Sequence, residues 1–412
     1  MSLHSIISAI KYADTPNLDA AGRLRISQQE VIYHIINEYD ESPFSWEKKE
    51  LNGGTVTHLG DESAVQLRTT TTSGSRVIRQ TRQYFRYQPG RSQLAIMTGV
   101  FGAEKQGVRK IMGFGDGDNG LFFEQEYSAS PGESMGVVVR SDTSGSPVDT
   151  RIDQKDWNKD KMDGTGPSGI NLNFEKFQIF WIDFLWLGGG RIRFGFIAGG
   201  QVICVHDINN LNALEKVYMR TASLPLRYEI ENTAATASQT DFIQICAYIA
   251  SEGGKHHLDE AGLLFAGSNG ATLRSIASGN RVPLYSIRLA TAFNGKTNRG
   301  IVVPLGATVK TSQSCFWEVV LNGTLANDDW SAYKTGKSLV EQDTSATSIT
   351  GGDTIAADYA DKKATAKLIE EITSKIPLTL NIDGDASDVL SVCVTPFSNA
   401  DCGAAASWKE LY

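Results

Sequence analysis

The chain is short of several things, and each shortage excludes something. No apolar run approaches the ~20 residues that a bilayer-crossing helix needs, so membrane insertion by a helix is not expected. Basic charge is in deficit: 39 Lys and Arg stand against 47 Asp and Glu, a formal charge of −8. That disfavours the basic stripe of a dedicated nucleic-acid binder. The five cysteines (Cys204, Cys246, Cys315, Cys393, Cys402) form no CxxC pair and have no histidine at ligand spacing. An odd count excludes a complete disulfide framework, and buried thiols are the expected state. A Cys393–Cys402 bridge closing a short loop is the open alternative. The start, Met1-Ser2-Leu3-His4-Ser5-Ile6-Ile7, lacks the basic segment and long apolar core of a secretory leader. Synthesis in a cytoplasm is expected, with release by another route such as lysis.

Proline is also scarce, at 11 residues, whereas glycine is abundant at 40. That ratio suits many short strands joined by tight turns. The clearest signal is Gln178–Leu187, apolar on both faces apart from Asp183, then Gly188-Gly189-Gly190, then Arg191–Ile197 with arginine and apolar residues alternating. It reads as a buried strand, a turn and a half-buried strand. Similar signals recur through 46–265. Ser63–Arg68 and Val77–Thr81 flank Thr72-Ser73-Gly74-Ser75 as a strand–turn–strand pair, and Lys110–Phe114 and Gly120–Glu124 bracket Asp116–Asn119. Strands at this spacing with little helical period predict an antiparallel, jelly-roll-like β-sandwich.

Length favours two globular parts. Residues 1–45 read as an N-terminal docking arm, with a short strand near Leu24-Arg25-Ile26 and a brief helix after the capping-box pattern Ser27-Gln28-Gln29-Glu30. The sandwich occupies 46–265, and a smaller C-terminal β-sandwich occupies 273–412. One helix is predicted there, over Lys362–Ile376, where Ala364, Leu368, Ile369 and Ile372 recur at helical spacing before Pro377.

Candidate chemistry is sparse, and each motif has a plain structural reading beside the functional one. Asp116-Gly117-Asp118-Asn119-Gly120 places Asp116, Asp118 and Asn119 as oxygen ligands for Ca2+, or forms an ordinary hairpin turn. Asp183 stands where a glycosidase of this fold would carry three acids at alternate positions. Here the flanking positions are Trp181 and Leu185, so pairing with Arg191 or Arg193 is the favoured reading and no catalytic residue is assigned. His256-His257 lies in a polar linker without acidic or thiol partners. Trp157, in the polar loop 153–169, and Trp330 are candidates for stacking on a sugar ring, or loop anchors. Arg79, Arg82 and Tyr84, with Arg23 and Arg25 near the start, combine guanidinium and aromatic groups as interfaces do.

Several segments together resemble a family of tailed-bacteriophage structural proteins from environmental and aquatic phages. They are Asp19–Ile26, Arg79–Tyr84, Tyr87–Gln93, Asp163–Gly169, Arg227–Asn232, Pro377–Ile382 and Trp408-Lys409-Glu410. The resemblance spans nearly the whole chain. The central unit also looks like the concanavalin/laminin-G jelly-roll class, an analogy of fold only. The resemblance implies a non-enzymatic virion protein assembled in the host cytoplasm. Its place would be on the particle exterior, as a tail fibre, collar or baseplate component, or as a capsid decoration protein. Its implied partners are other virion proteins, further copies of itself (a trimer is favoured) and a host-surface glycan. A glycan depolymerase is the distant alternative. No cofactor is expected beyond the Ca2+ considered above.

Overall fold

The computed structural model describes residues 28–253, 262–362, 365–369 and 377–412. The first half carries strands β1 (Gln29–Ile36), β2 (Trp46–Leu51), β3 (Thr55–Leu59), β4 (Ala64–Thr69), β5 (Arg76–Thr81), β6 (Gln93–Val100), β7 (Val108–Gly115) and β8 (Gly120–Glu126). It continues with β9 (Met135–Ser141), β10 (Val148–Asp153), β11 (Gln178–Phe184), β12 (Ile192–Ala198), β13 (Gln201–Ile208), β14 (Leu226–Asn232) and β15 (Thr240–Glu252). Among the described residues they form a front sheet ordered β13-β12-β11-β6-β15-β4-β3 and a back sheet ordered β10-β9-β8-β7-β14-β5-β2. The chain crosses between sheets at β1–β2, β2–β3, β4–β5, β5–β6, β6–β7, β10–β11, β13–β14 and β14–β15, which gives the predicted all-β, jelly-roll-like sandwich.

Period-2 patterning decides which side chains meet between the sheets. On β11, Phe180, Ile182 and Phe184 face the core; on β14, Leu226, Tyr228 and Ile230 do so. The rings of Phe123, Phe180 and Phe196 pack at centroid separations of 4.9–5.2 Å. The β11–β12 hairpin forms as its sequence predicts, with Asp183 opposite Arg193. At Gly195, directly across from Trp181, a Cβ would overlap the Trp181 ring and the Ile203 carbonyl, so the indole lies flat only because glycine is there.

Three expectations are corrected here. The β4–β5 segment is not a hairpin: β4 belongs to the front sheet and β5 to the back, and the Thr72–Ser75 turn carries the chain between layers. Residues 29–36 are a strand rather than a capped helix, and they are not free of the sandwich. β15 is long enough to pair with β4 through its first half and with β1 through its second. The rest of the predicted arm, residues 1–27, lies outside the described residues. Thr365–Ile369 is a strand antiparallel to Ile301–Thr311, although its spacing suggested a helix; pairing with a sheet edge overrides local periodicity. The remainder of the predicted helix falls mostly outside the described residues.

The C-terminal unit begins at Leu263–Ser268, which pairs with Ala400–Leu411, and so starts earlier than predicted. That strand also pairs with Ile301–Thr311. A second sheet centres on Val282–Leu289, Val389–Pro396 and Cys315–Leu321, and Trp317, Trp408 and Tyr285 fill the space between the two. Among the described residues the five cysteines are free. Cys393 packs with Val320 and Ile349, whereas Cys402 lies beside Thr311 in the main core, so the considered bridge is absent. Burial pushes the Cys393 thiol up to about 12.

A polar joint connects the two units. Lys49 pairs with Asp383 at 2.5 Å, the Ile382 amide donates to Glu47 at 2.9 Å, and Arg82 lies 3.5 Å from Asp388. Arg299 covers the Tyr84 ring at 4.8 Å.

Candidate functional site

At one end of the larger sandwich the space between the sheets changes from apolar to polar. Lys110 on β7 and Gln125 on β8 are register partners, on the side that elsewhere carries Met112 and Phe123 into the core. Lys110 is buried, and its ammonium donates to the carbonyls of Phe101 and Ala103; burial lowers its pKa to about 8. Gln125 is 6% exposed, its Nε2 donates to the Gly102 carbonyl at 2.9 Å, and its Oε1 has no partner.

Above Gln125 opens a cleft of about 680 Å³. One wall is the β8–β9 turn, Ser128–Ser134. It is held by Ser128 Oγ donating to Glu133 at 3.0 Å and by the Lys155 amide donating to Gly132 at 2.9 Å. The other wall is Asn171–Glu175. There the Leu172 amide reaches Met162 O at 2.9 Å, and Gly102 N reaches Phe174 O at 3.1 Å. Phe174 is half-buried against Phe196, and Gln154 and Glu104 complete the lining. Amides, carboxylates and one aromatic edge around an open cleft suit a polyhydroxylated ligand.

Sequence reasoning placed none of these residues in a site. They come from five separated segments, so no motif spacing could reveal them. It did single out the 153–169 loop, which leads into the second wall. That loop is pinned down: the Asp160 carboxylate accepts the amides of Met162 and Ser168 at 2.8 and 2.7 Å.

The predicted site residues have other work. Trp157 is 3% exposed and packs on Phe196 at 6.1 Å, so no ring face is free for a sugar. Trp330 is half-buried, with Arg288 over its ring at 4.3 Å. Asp116 accepts the amides of Asp118 and Asn119 at 2.8 and 2.9 Å, and Asn119 Oδ1 accepts the Arg220 amide at 3.0 Å. Those oxygens fold a turn, and no metal-binding group of three or more His, Cys, Asp or Glu occurs among the described residues. Arg79 is no surface interface residue: it is 1% exposed, bonded to Gln244 at 2.5 Å and to the Glu41 carbonyl at 2.6 Å, and stacked on Trp46. Tyr84, 4% exposed, and Arg82 belong to the joint within the chain. Arg23, Arg25 and His256-His257 lie outside the described residues.

The front sheet's outer face carries Asp183. As expected, Arg193 pairs with it, at 2.7 Å through Nε, while Ser92 donates to its other oxygen. Arg191 goes instead to Asp207. Around Asp183 the face is apolar, with Leu94, Ile96, Ile179 and Ile197 half-buried and Val202 exposed. The carboxylate is thus held by a guanidinium and a hydroxyl, with no second acid beside it on its strand.

No protein-family model matches the chain, and no curated protein matches its sequence. Solved structures overlap about half of it. The legume lectin-like domain from Entamoeba histolytica shares 10% identity over 53% of this chain and 96% of its own, with a TM-score of 0.33. A glycosyl hydrolase family 16 protein from Mycobacterium smegmatis shares 10% over 53% and 100%, with a TM-score of 0.36. The Emp47p carbohydrate recognition domain shares 10% over 57% and 99%, with a TM-score of 0.35. At such scores these overlaps carry no weight for what the chain binds.

Proposed function

We propose that this chain is a structural protein on the exterior of a tailed-bacteriophage particle, tail-associated, and that it contributes to attachment at a host-surface carbohydrate. The particle assignment rests on the sequence resemblance described above. The carbohydrate assignment rests on one observation: the open polar cleft over Gln125, lined by Gln154, Asn171, Asn173, Glu104 and Glu175 beside the edge of Phe174. Amides and carboxylates around an aromatic edge suit the hydroxyls and ring face of a sugar. The protein is read as a binder rather than an enzyme, because Asp183 is engaged by Arg193 and Ser92. Its partners are other virion proteins and copies of itself.

A capsid-clamp reading is favoured by a different feature. Between the free sides of β9–β10 and β12–β13 lies a second cleft, of about 620 Å³, lined by Val139, Val148, Ile192, Ile208, Leu214 and Val217. Leu211, beside it, is 74% exposed. An apolar opening of this kind suits burial against a neighbouring subunit.

Cryo-electron microscopy of the intact particle separates the two. Density on the tail with the Gln125 cleft facing outward supports attachment, and a glycan array then tests it directly. Density on the capsid lattice with the Leu211 side buried between neighbours overturns the attachment reading.

A further inference from the structure

Resting on the reading of the Gln125 cleft as a glycan site, we infer that it selects amino sugars, with neutral sugars second, and rejects uronate, sialylated or phosphorylated glycans. The reason is which hydrogen-bonding capacity the cleft has already used. Gln125 Nε2 donates to Gly102 O and Gln154 Nε2 to Lys161 O, which fixes both amides and leaves the Gln154 Oε1 as an acceptor at the lining. Ser128 and Ser134 donate to Glu133 and to the Ser128 carbonyl. The charged residues of the lining are Glu104 and Glu175, both exposed, and no Lys, Arg or His lines the cleft among the described residues. Lys110 lies beneath the floor with its ammonium engaged by Phe101 and Ala103 carbonyls. Of the cations near the lining, Lys155 is paired with Glu133 at 2.5 Å, Arg151 donates to the Glu133 and Ser134 carbonyls and Lys105 to Ser238, while Lys176 follows Glu175 as an exposed residue outside the lining. Asn171 and Asn173 keep amide donors for ring hydroxyls, since Asn173 uses its Oδ1 on the Glu175 amide. What remains is a surplus of acceptors with negative charge. It matches a donor-rich, cationic ligand and repels an anionic one.

The test is titration calorimetry of the full chain at low salt and about pH 6, where a sugar amine is protonated. Three oligomers of equal length serve as probes: glucosamine, N-acetylglucosamine and a uronate-containing repeat. The expected order is glucosamine tightest, N-acetylglucosamine weaker by at least about 5-fold, and the uronate without binding. Glu104→Gln and Glu175→Gln, both at exposed positions, should each cut the glucosamine affinity by about 5-fold and leave N-acetylglucosamine unchanged. Glu62→Gln, exposed and outside the cleft, should change neither, which separates cleft binding from general attraction to an acidic protein. Equal binding of amine and N-acetyl oligomers, binding of the uronate, or an effect of Glu62→Gln as large as that of Glu104→Gln overturns the inference while leaving a glycan site standing. No binding by any of the three removes the glycan site itself.

Discussion

On the outer side of the back sheet, carboxylates are buried among arginines; on the outer side of the front sheet, half-exposed apolar residues stand beside separate, more solvated ion pairs, Asp183–Arg193, Asp207–Arg191 and Asp241–Arg68. Glu229 on β14 is contacted by Arg227 at 2.7 Å and by Arg76 at 2.5 Å, and Arg227 also reaches Gln80 at 2.9 Å. Glu124 lies between Arg109 and Arg151, and Arg109 continues to Asp149, which Arg140 holds at 2.7 Å. Burial alone would raise the Glu229 carboxyl, yet Arg227, Arg76 and Arg140 hold it down to about 2. Asp183, by contrast, pairs with an arginine whose side chain is 44% exposed. The difference teaches that an ion pair matters to the fold in proportion to how hard its members would be to leave unpaired, not to how close they sit.

The sharpest way to break this contrast is Glu229→Leu. It strands two guanidinium groups, one of them buried, and should cost about 3–5 kcal/mol in urea unfolding; a loss under about 1 kcal/mol would mean the network contributes little. Acid sharpens the same contrast. The Glu229 carboxyl is lowered from 4.5 to about 2 in the fold. Its contribution is therefore complete above about pH 4.5 and disappears as pH falls towards 2, a loss on the order of 3 kcal/mol. The acid limb of the stability curve should flatten in Glu229→Leu and stay steep in Asp183→Asn. Third, Gly195→Ala should cost about 1–3 kcal/mol by forcing the Trp181 indole and the β12–β13 pairing apart, with a matching change in tryptophan fluorescence. The smallest effect belongs to Asp183→Asn, at about 1 kcal/mol or less, because solvent screens Arg193. A loss matching that of Glu229→Leu would erase the distinction between the faces.

How much of this was legible in the sequence depends on whether a feature is local. The 178–197 hairpin was, because both strands and their Gly188–Gly190 turn are contiguous and their period is 2. The β4–β5 crossing was not: Thr72–Ser75 reads the same whether the flanking strands pair or part to different layers. Trp157 sits in a polar run, so its neighbours suggested exposure, while the structure folds that run back onto Phe196. Arg227-x-Glu229 placed both groups on one face of a strand, but Arg76 and Arg140 join them from elsewhere in the chain. The cleft is the extreme case, since Glu104, Gln125, Gln154 and Asn171 meet only through the sheet register and the anchored loop.

The joint formed by Lys49–Asp383, Glu47–Ile382, Arg82–Asp388 and Arg299–Tyr84 has a mechanical meaning. Its members differ in solvation: the Lys49 and Asp383 side chains are 32% and 44% exposed, whereas the Asp388 side chain is 10% exposed and Tyr84 is buried, so salt screens the first pair and reaches the others less. A load applied to one sandwich therefore reaches the other through contacts of two kinds, one that salt weakens and one that burial protects.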